Sequence, residues 1–265
     1  MTWPQDTVKQ LLTRRGIGWT GIRRIVEVGS TAHGISSPDT GDDFDYTVIR
    51  VEPFDEMIIG PDSRQSMMIR TQPDGMRSRM GDVDLQVYTL RKFAHLAAKG
   101  NPSILAAMFS PLVRHGSQHS DLFEELASIV ATSAAGDAFL GYTRQQIERW
   151  IGVRGQKNVN RPELVDAYGF DTKYAAHVIR LAHQGIEYMH TGRFTMPMPD
   201  DVAAEIVSLR TGGYTEHEAL KWAAEMEDEL KAAIDLSTLP PKPAVAAVNR
   251  WLIGVYESEM PAVVD

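Results

Sequence analysis

The sequence predicts an α+β protein: a small mixed β-sheet with flanking helices, followed by a helical C-terminal part. Three observations carry this. Residues 25–49 hold two apolar runs, Ile25–Val28 and Thr47–Val51, joined by a Gly/Ser/Pro/Asp-rich loop, which reads as two strands around a turn. Met80–Leu90 alternates strictly, with Asp82, Asp84, Gln86 and Tyr88 on one face and Val83, Leu85 and Val87 on the other. From Asp121 onward, apolar residues recur at helical spacing and no strand pattern returns.

In chain order, QDTVKQLLTRR (5–15) predicts a short helix stopped by Gly16, and Arg23–Val28 a first strand entering the turn Gly29-Ser30. Ser36–Asp42 is a loop by composition, with Asp39 and Asp42 as loop caps. Asp43-Phe-Asp45 then opens the second strand. Side chains repeat every second residue on a strand, so Asp43 and Asp45 share a face. Two carboxylates on one face repel unless a cation lies between them, and such an all-oxygen set suits Mg²⁺. A Gly-Ser turn beside them is suited to holding phosphates.

Residues 52–80 lack sustained periodicity. They allow two short strands, MMIRT the better of them, or a flap. Leu90–Lys99 predicts an amphipathic helix ended by Gly100, and Asn101-Pro102 caps the next, 103–109. Arg91 and Lys92 read as a solvated helix start. Ser120-Asp121 opens a further helical pattern. A second, at 136–152, carries Tyr142, Gln146 and Arg149 at helical intervals, and 155–164 is a basic, turn-rich loop. Phe170–Gly192 predicts a long helix with Lys173, His177 and Arg180 on one face. Two prolines in MPMPDD restart the pattern. A strongly charged segment, 215–235, and a final amphipathic helix, 243–258, complete the chain. The polar stretch HGSQHSD divides 1–117, carrying the strands, from 118–265, a helical domain closing a cleft.

Gly-Ser, a spacer, then Asp-x-Asp on a strand resembles the DNA polymerase β-like nucleotidyltransferase superfamily. DVDLQVYTLRKFAHLAAKGNPSILAAMFSP (82–111) and GFDTKYAAHVIRLAHQGIEYMHTG (169–192) extend the resemblance to a bacterial and phage branch known as predicted nucleotidyltransferases. The three blocks, in the family's order, cover about half of the chain. The resemblance implies the nucleotidyltransferase fold and a metal-dependent transfer of an NMP from an NTP, ATP among them, to a hydroxyl acceptor, with release of pyrophosphate. It implies Asp43, Asp45 and Asp84 as catalytic, metal-binding residues, with Asp82 as a neighbour able to substitute. Gly29, Ser30, Lys173 and His177 are implied as nucleotide-binding residues, and Mg²⁺ or Mn²⁺ as the cofactor. The acceptor is left open among a small molecule, a protein and tRNA.

Bulk properties narrow the alternatives. The 265 residues are 43% hydrophobic and 23% charged, ordinary for a globular protein. With no cysteine, disulfides and thiolate metal sites are excluded. No apolar run reaches the roughly 20 residues a membrane helix needs, and the N-terminus lacks a signal-peptide pattern. A cytoplasmic location is the expectation. A formal charge of −8 argues against broad DNA binding, which needs many phosphate contacts. A metal-dependent phosphohydrolase is less favoured, since the chain has no His-Asp or Asp-His pair. A catalytically silent, antitoxin-like nucleotide-binding module of the same fold is the main alternative.

Overall fold

The computed structural model describes residues 3–36, 43–53, 56–57, 65–73, 75–152 and 161–259. The loop acids Asp39 and Asp42, part of 52–80 and most of the basic loop at 155–164 lie outside the described residues.

A first helix, α1 (Gln5–Thr13), precedes β1 (Ile22–Glu27), the one-turn helix α2 (Gly29–His33) and β2 (Phe44–Arg50). Then come β3 (Ser66–Arg70), β4 (Val83–Thr89), α3 (Leu90–Ala98), α4 (Pro102–Phe109) and β5 (Val113–His115). Helices follow: α5 (Ser120–Val130), α6 (Ala134–Trp150), α7 (Pro162–Tyr168), α8 (Thr172–Thr191), α9 (Asp200–Arg210), α10 (Glu216–Leu236) and α11 (Val245–Glu259). Among the described residues all strands precede position 117. The MMIRT expectation is met by β3.

The five strands form one mixed sheet in the order β3-β4-β2-β1-β5. β2 and β4 are parallel and the other pairings antiparallel. Alternation sorts the two faces as the pattern requires. Tyr46, Val48, Val83, Leu85 and Val87 turn to one side and form a core with Val8, Leu11 and Leu12 of α1. On the other side Val26 and Ile49 join the largest core, with Phe93, Leu105, Phe123, Phe139, Tyr188, Leu230 and Trp251. That core runs through the sheet and the later helices alike. A third cluster, built on Trp150, Phe170, Ile179, Ile206 and Leu209, holds α6, α8 and α9 together.

β1 is an inner strand that buries Arg23, Arg24 and Glu27, each provided for locally. Arg24 lies over the Phe123 ring, 4.8 Å from its centroid. Glu27 pairs with Arg114, whose Nε donates at 2.8 Å, and Arg23 donates to the Thr20 carbonyl at 2.9 Å. Helix starts follow their caps. Asn101 Oδ1 accepts from the Ser103 and Ile104 amides ahead of Pro102. Asp171 caps α8 through the Tyr174 amide. Thr215 and Glu218 form a reciprocal capping box on α10.

Candidate active site

Strand register brings the carboxylates together. In the parallel pair, Asp45 on β2 stands directly opposite Asp84 on β4, and Asp43, two residues before Asp45, faces the same way. One oxygen from each of Asp43, Asp45 and Asp84 lies within 4.8 Å of the others. The three occupy the end of the helix-facing side of the sheet, where Ile49 and Val26 no longer fill the space. There a cavity of about 680 Å³ opens between the sheet and α8.

The Asp45 carboxyl is pushed up to about 6, first by burial and then by Asp43 and Asp84, with Lys173 and Arg70 acting oppositely. Three crowded carboxylates, oxygen donors only, fit a hard divalent cation whose charge would relieve that repulsion. Asp84 is held from behind: Arg70 Nε donates to both of its oxygens at 3.1 Å, and Ser78 Oγ donates at 2.8 Å. Arg70 is opposite Asp84 in the β3–β4 register. Asp82 does not share the site. It accepts from the Arg79 amide, Thr71 and Gln72, which ties down the turn before β4. The expectation that it might substitute for Asp84 is therefore corrected.

Gly29 closes the near side. Its φ is +79°, and a Cβ there would meet Asp45 Oδ2 at 2.7 Å. Any side chain would push the carboxylate out of place and strain the turn. Ser30 lines the cavity beside it. α2 is a single turn with no side-chain cap at its start. So short a helix lacks the cumulative dipole of a long one.

The stripe on α8 also reaches the cavity, with Lys173, His177 and Arg180 all among its lining. Burial lowers the Lys173 pKa, as do Arg161 and Arg210, while Asp43 and Asp45 raise it. His177 is half-buried and bonded to Arg180 at 2.9 Å, so it is a partner of a cation within the wall. Arg91 and Lys92 do not line the cavity; Arg91 lies 3.7 Å from Glu52.

Several residues of the cavity lining, and two that hold Asp84 from behind, gave little signal in the sequence. Arg70 and Ser78 sit in the stretch without periodicity. Arg161 pairs with Asp171 at 3.1 Å, and Arg210 donates to the Ile35 carbonyl across 175 residues. Tyr174 donates to Gln146, and Met68 stands 52% exposed on the sheet face next to Gln86. Of these, the helical interval of Gln146 with Tyr142 and the place of Arg161 in the basic 155–164 loop were the visible hints.

No curated protein matches the chain. Among solved structures, a nucleotidyltransferase-like protein from Exiguobacterium sibiricum 255-15 aligns at 12% identity over 96% of this chain and 80% of its own, with a TM-score of 0.32. Spectinomycin adenyltransferase AAD(9) from Enterococcus faecialis, solved with ATP and spectinomycin, aligns at 15% identity over 86% of this chain and 98% of its own, with a TM-score of 0.43. The RNA repair pathway DNA polymerase beta family (RlaP) matches residues 20–254. A mixed sheet bearing three convergent aspartates beside a Gly-Ser turn thus accompanies a family match over most of the sequence, and the chain belongs to the RNA repair pathway DNA polymerase beta family.

Proposed function

We propose that the protein is a divalent-metal-dependent nucleotidyltransferase that moves an NMP from an NTP to a hydroxyl acceptor and releases pyrophosphate. The observation that carries this is the convergence of Asp43, Asp45 and Asp84 within 4.8 Å beside Gly29-Ser30. Asp43 and Asp45 would hold Mg²⁺ or Mn²⁺, with Asp84 on the acceptor side. Such an ion supplies charge stabilisation at the transferring phosphate and a lowered pKa at the attacking hydroxyl.

The chain's own groups do the rest. Ser30 and the Gly29 backbone cradle the β- and γ-phosphates. Lys173, in the lining of the same cavity as Asp43 and Asp45, offsets charge on the leaving pyrophosphate. Asp84, oriented by Arg70 and Ser78, accepts the proton of the acceptor hydroxyl. The family's description by RNA repair supports an RNA terminus, tRNA included, as the first acceptor to try; a protein or small hydroxyl compound follows. No described helix is long and apolar enough to cross a membrane.

The test is label transfer from ATP, CTP, GTP or UTP, with Mg²⁺ or Mn²⁺, to RNA ends, protein and small hydroxyl compounds. Wild type should label one acceptor. Asp43→Ala and Asp45→Ala should each lose about 10³-fold or more, the equivalent of about 4 kcal/mol of transition-state stabilisation. Wild type and both variants behaving alike in every combination would sink the reading. The two Arg70 hydrogen bonds on Asp84 favour one alternative, a catalytically silent, regulatory nucleotide-binding module. Nucleotide binding by calorimetry with no turnover of any acceptor would select it.

A further inference from the structure

The cavity wall holds a cation that has no counter-charge among the described residues. Arg180 is 8% exposed. Its Nη1 donates to Gln184 Oε1 at 2.7 Å and its Nη2 to His177 Nδ1 at 2.9 Å. The Gln184 amide, with its oxygen committed to Arg180, donates through Nε2 to His33 Nδ1 at 3.1 Å. Both histidines therefore accept at Nδ1 and are neutral. This agrees with burial and Arg180 holding His177 down at about 3 and His33 well below the usual range.

Every one of these partners is uncharged. Among the described residues no carboxylate pairs with Arg180, and burial alone moves its pKa, down to about 10. Guanidinium has five N–H donors in a planar fork, and these contacts use two of them. A buried charge without a partner is costly, and replacing it with an apolar side chain would be the cheaper solution for a structural position. The position instead faces the cavity that holds the carboxylates, with Lys173, Arg161 and Arg210 also in its lining.

We propose that Arg180 is the centre of a buried phosphate receptor, kept aimed into the cavity by His177, Gln184 and His33, and completed by a phosphate group of a bound substrate. The phosphate comes from one of two sources, the tail of a nucleoside triphosphate or the phosphate of an acceptor strand. His177 is on this reading a positioning residue that holds the arginine, and His33 links the receptor to α2, next to Gly29-Ser30. The proposal rests on the cleft being a phosphate-transfer site, and its test uses an inorganic anion so that the two stand or fall separately.

The full-length protein is titrated with inorganic tripolyphosphate, by calorimetry and by thermal unfolding, as wild type, Arg180→Met and Gln184→Glu. Wild type should bind and be stabilised by the anion. Arg180→Met should be at least as stable as wild type without ligand and bind at least about tenfold more weakly, the order expected for a charge-assisted contact. Gln184→Glu gives the guanidinium an internal partner and should weaken binding similarly, which keeps the test intact if Arg180→Met does not fold. Displacement of tripolyphosphate by ATP assigns the triphosphate tail as the source. Displacement by a 5′-phosphorylated RNA oligonucleotide and not by ATP assigns the acceptor. Wild type that does not bind tripolyphosphate, or variants that bind it as wild type does, overturn the receptor even if label transfer is observed. Binding lost in both variants supports it even if no label is transferred.

Discussion

Asp45 carries the sharpest conflict in the molecule. It is half-buried beside two other carboxylates, and Gly29 lets it lie against the turn where any Cβ would meet its oxygen at 2.7 Å. A carboxyl raised to about 6 from an unfolded value of 3.8 binds more protons in the native state between those values. The unfolding free energy of the ion-free protein should therefore fall as pH rises from about 4 to about 6 and level off above. Asp45→Asn should remove that component, leaving the ion-free variant more stable than wild type by up to about 3 kcal/mol at pH 7 and equal to it near pH 4. Denaturant melts in chelator across this window check it, and a variant no more stable than wild type at pH 7 would refute it. For the same reason divalent-cation affinity should increase as pH passes about 6.

At the scale of elements, the β3–β4 pair and α8 decide how available the site is. The register that sets Asp45 against Asp84 also sets Arg70 against Asp84. Arg70 thus meets the carboxylate with two bonds at 3.1 Å, and its charge opposes that of an entering cation. Arg70→Met should tighten Mn²⁺ binding to the nucleotide-free protein by about tenfold, equivalent to one charge-assisted contact's worth of competition. Electron paramagnetic resonance titration of free Mn²⁺ measures this directly. Weaker binding in the variant would refute the competition. α8 contributes through its period: Lys173, His177 and Arg180 descend one face, so a single helix supplies charge at the carboxylates and at the floor of the cavity.

Across the whole molecule, the large core joins the sheet to the helices. Phe93 packs edge-on against Phe123 at 5.9 Å, and Phe139, Tyr188 and Phe194 continue the aromatic contacts into α6 and α8. We propose that the change from strands to helices near 117 is a boundary of architecture and that both parts unfold together. Phe123→Ala should destabilise the protein by about 3–5 kcal/mol. Tryptophan fluorescence and far-ultraviolet circular dichroism should still report one coincident transition, and separate midpoints would refute the single unit.

Short-range rules made much of this readable in advance. Alternation assigned the faces of β2 and β4, and the Asn101-Pro102 cap and the stripe on α8 follow from spacing alone. Those features depend on neighbours a few residues apart, where backbone geometry leaves few choices. What the sequence could not convey is which distant groups would meet. Arg70 reaches Asp84 across 14 residues, Gln184 reaches His33 across 151, and Arg210 reaches Ile35 across 175. No local period encodes such pairings; strand register and helix packing create them. Asp82 makes the same point in reverse: it keeps the alternation of β4 yet lies before the strand, where a turn claims it. The sequence by itself thus determined the aspartate-bearing strands, most of the helices and the acidic residues from which the site is assembled, though neither β5 nor α7. Only the tertiary structure decided their electrostatic surroundings, because burial and through-space charge act between segments that the chain order keeps apart.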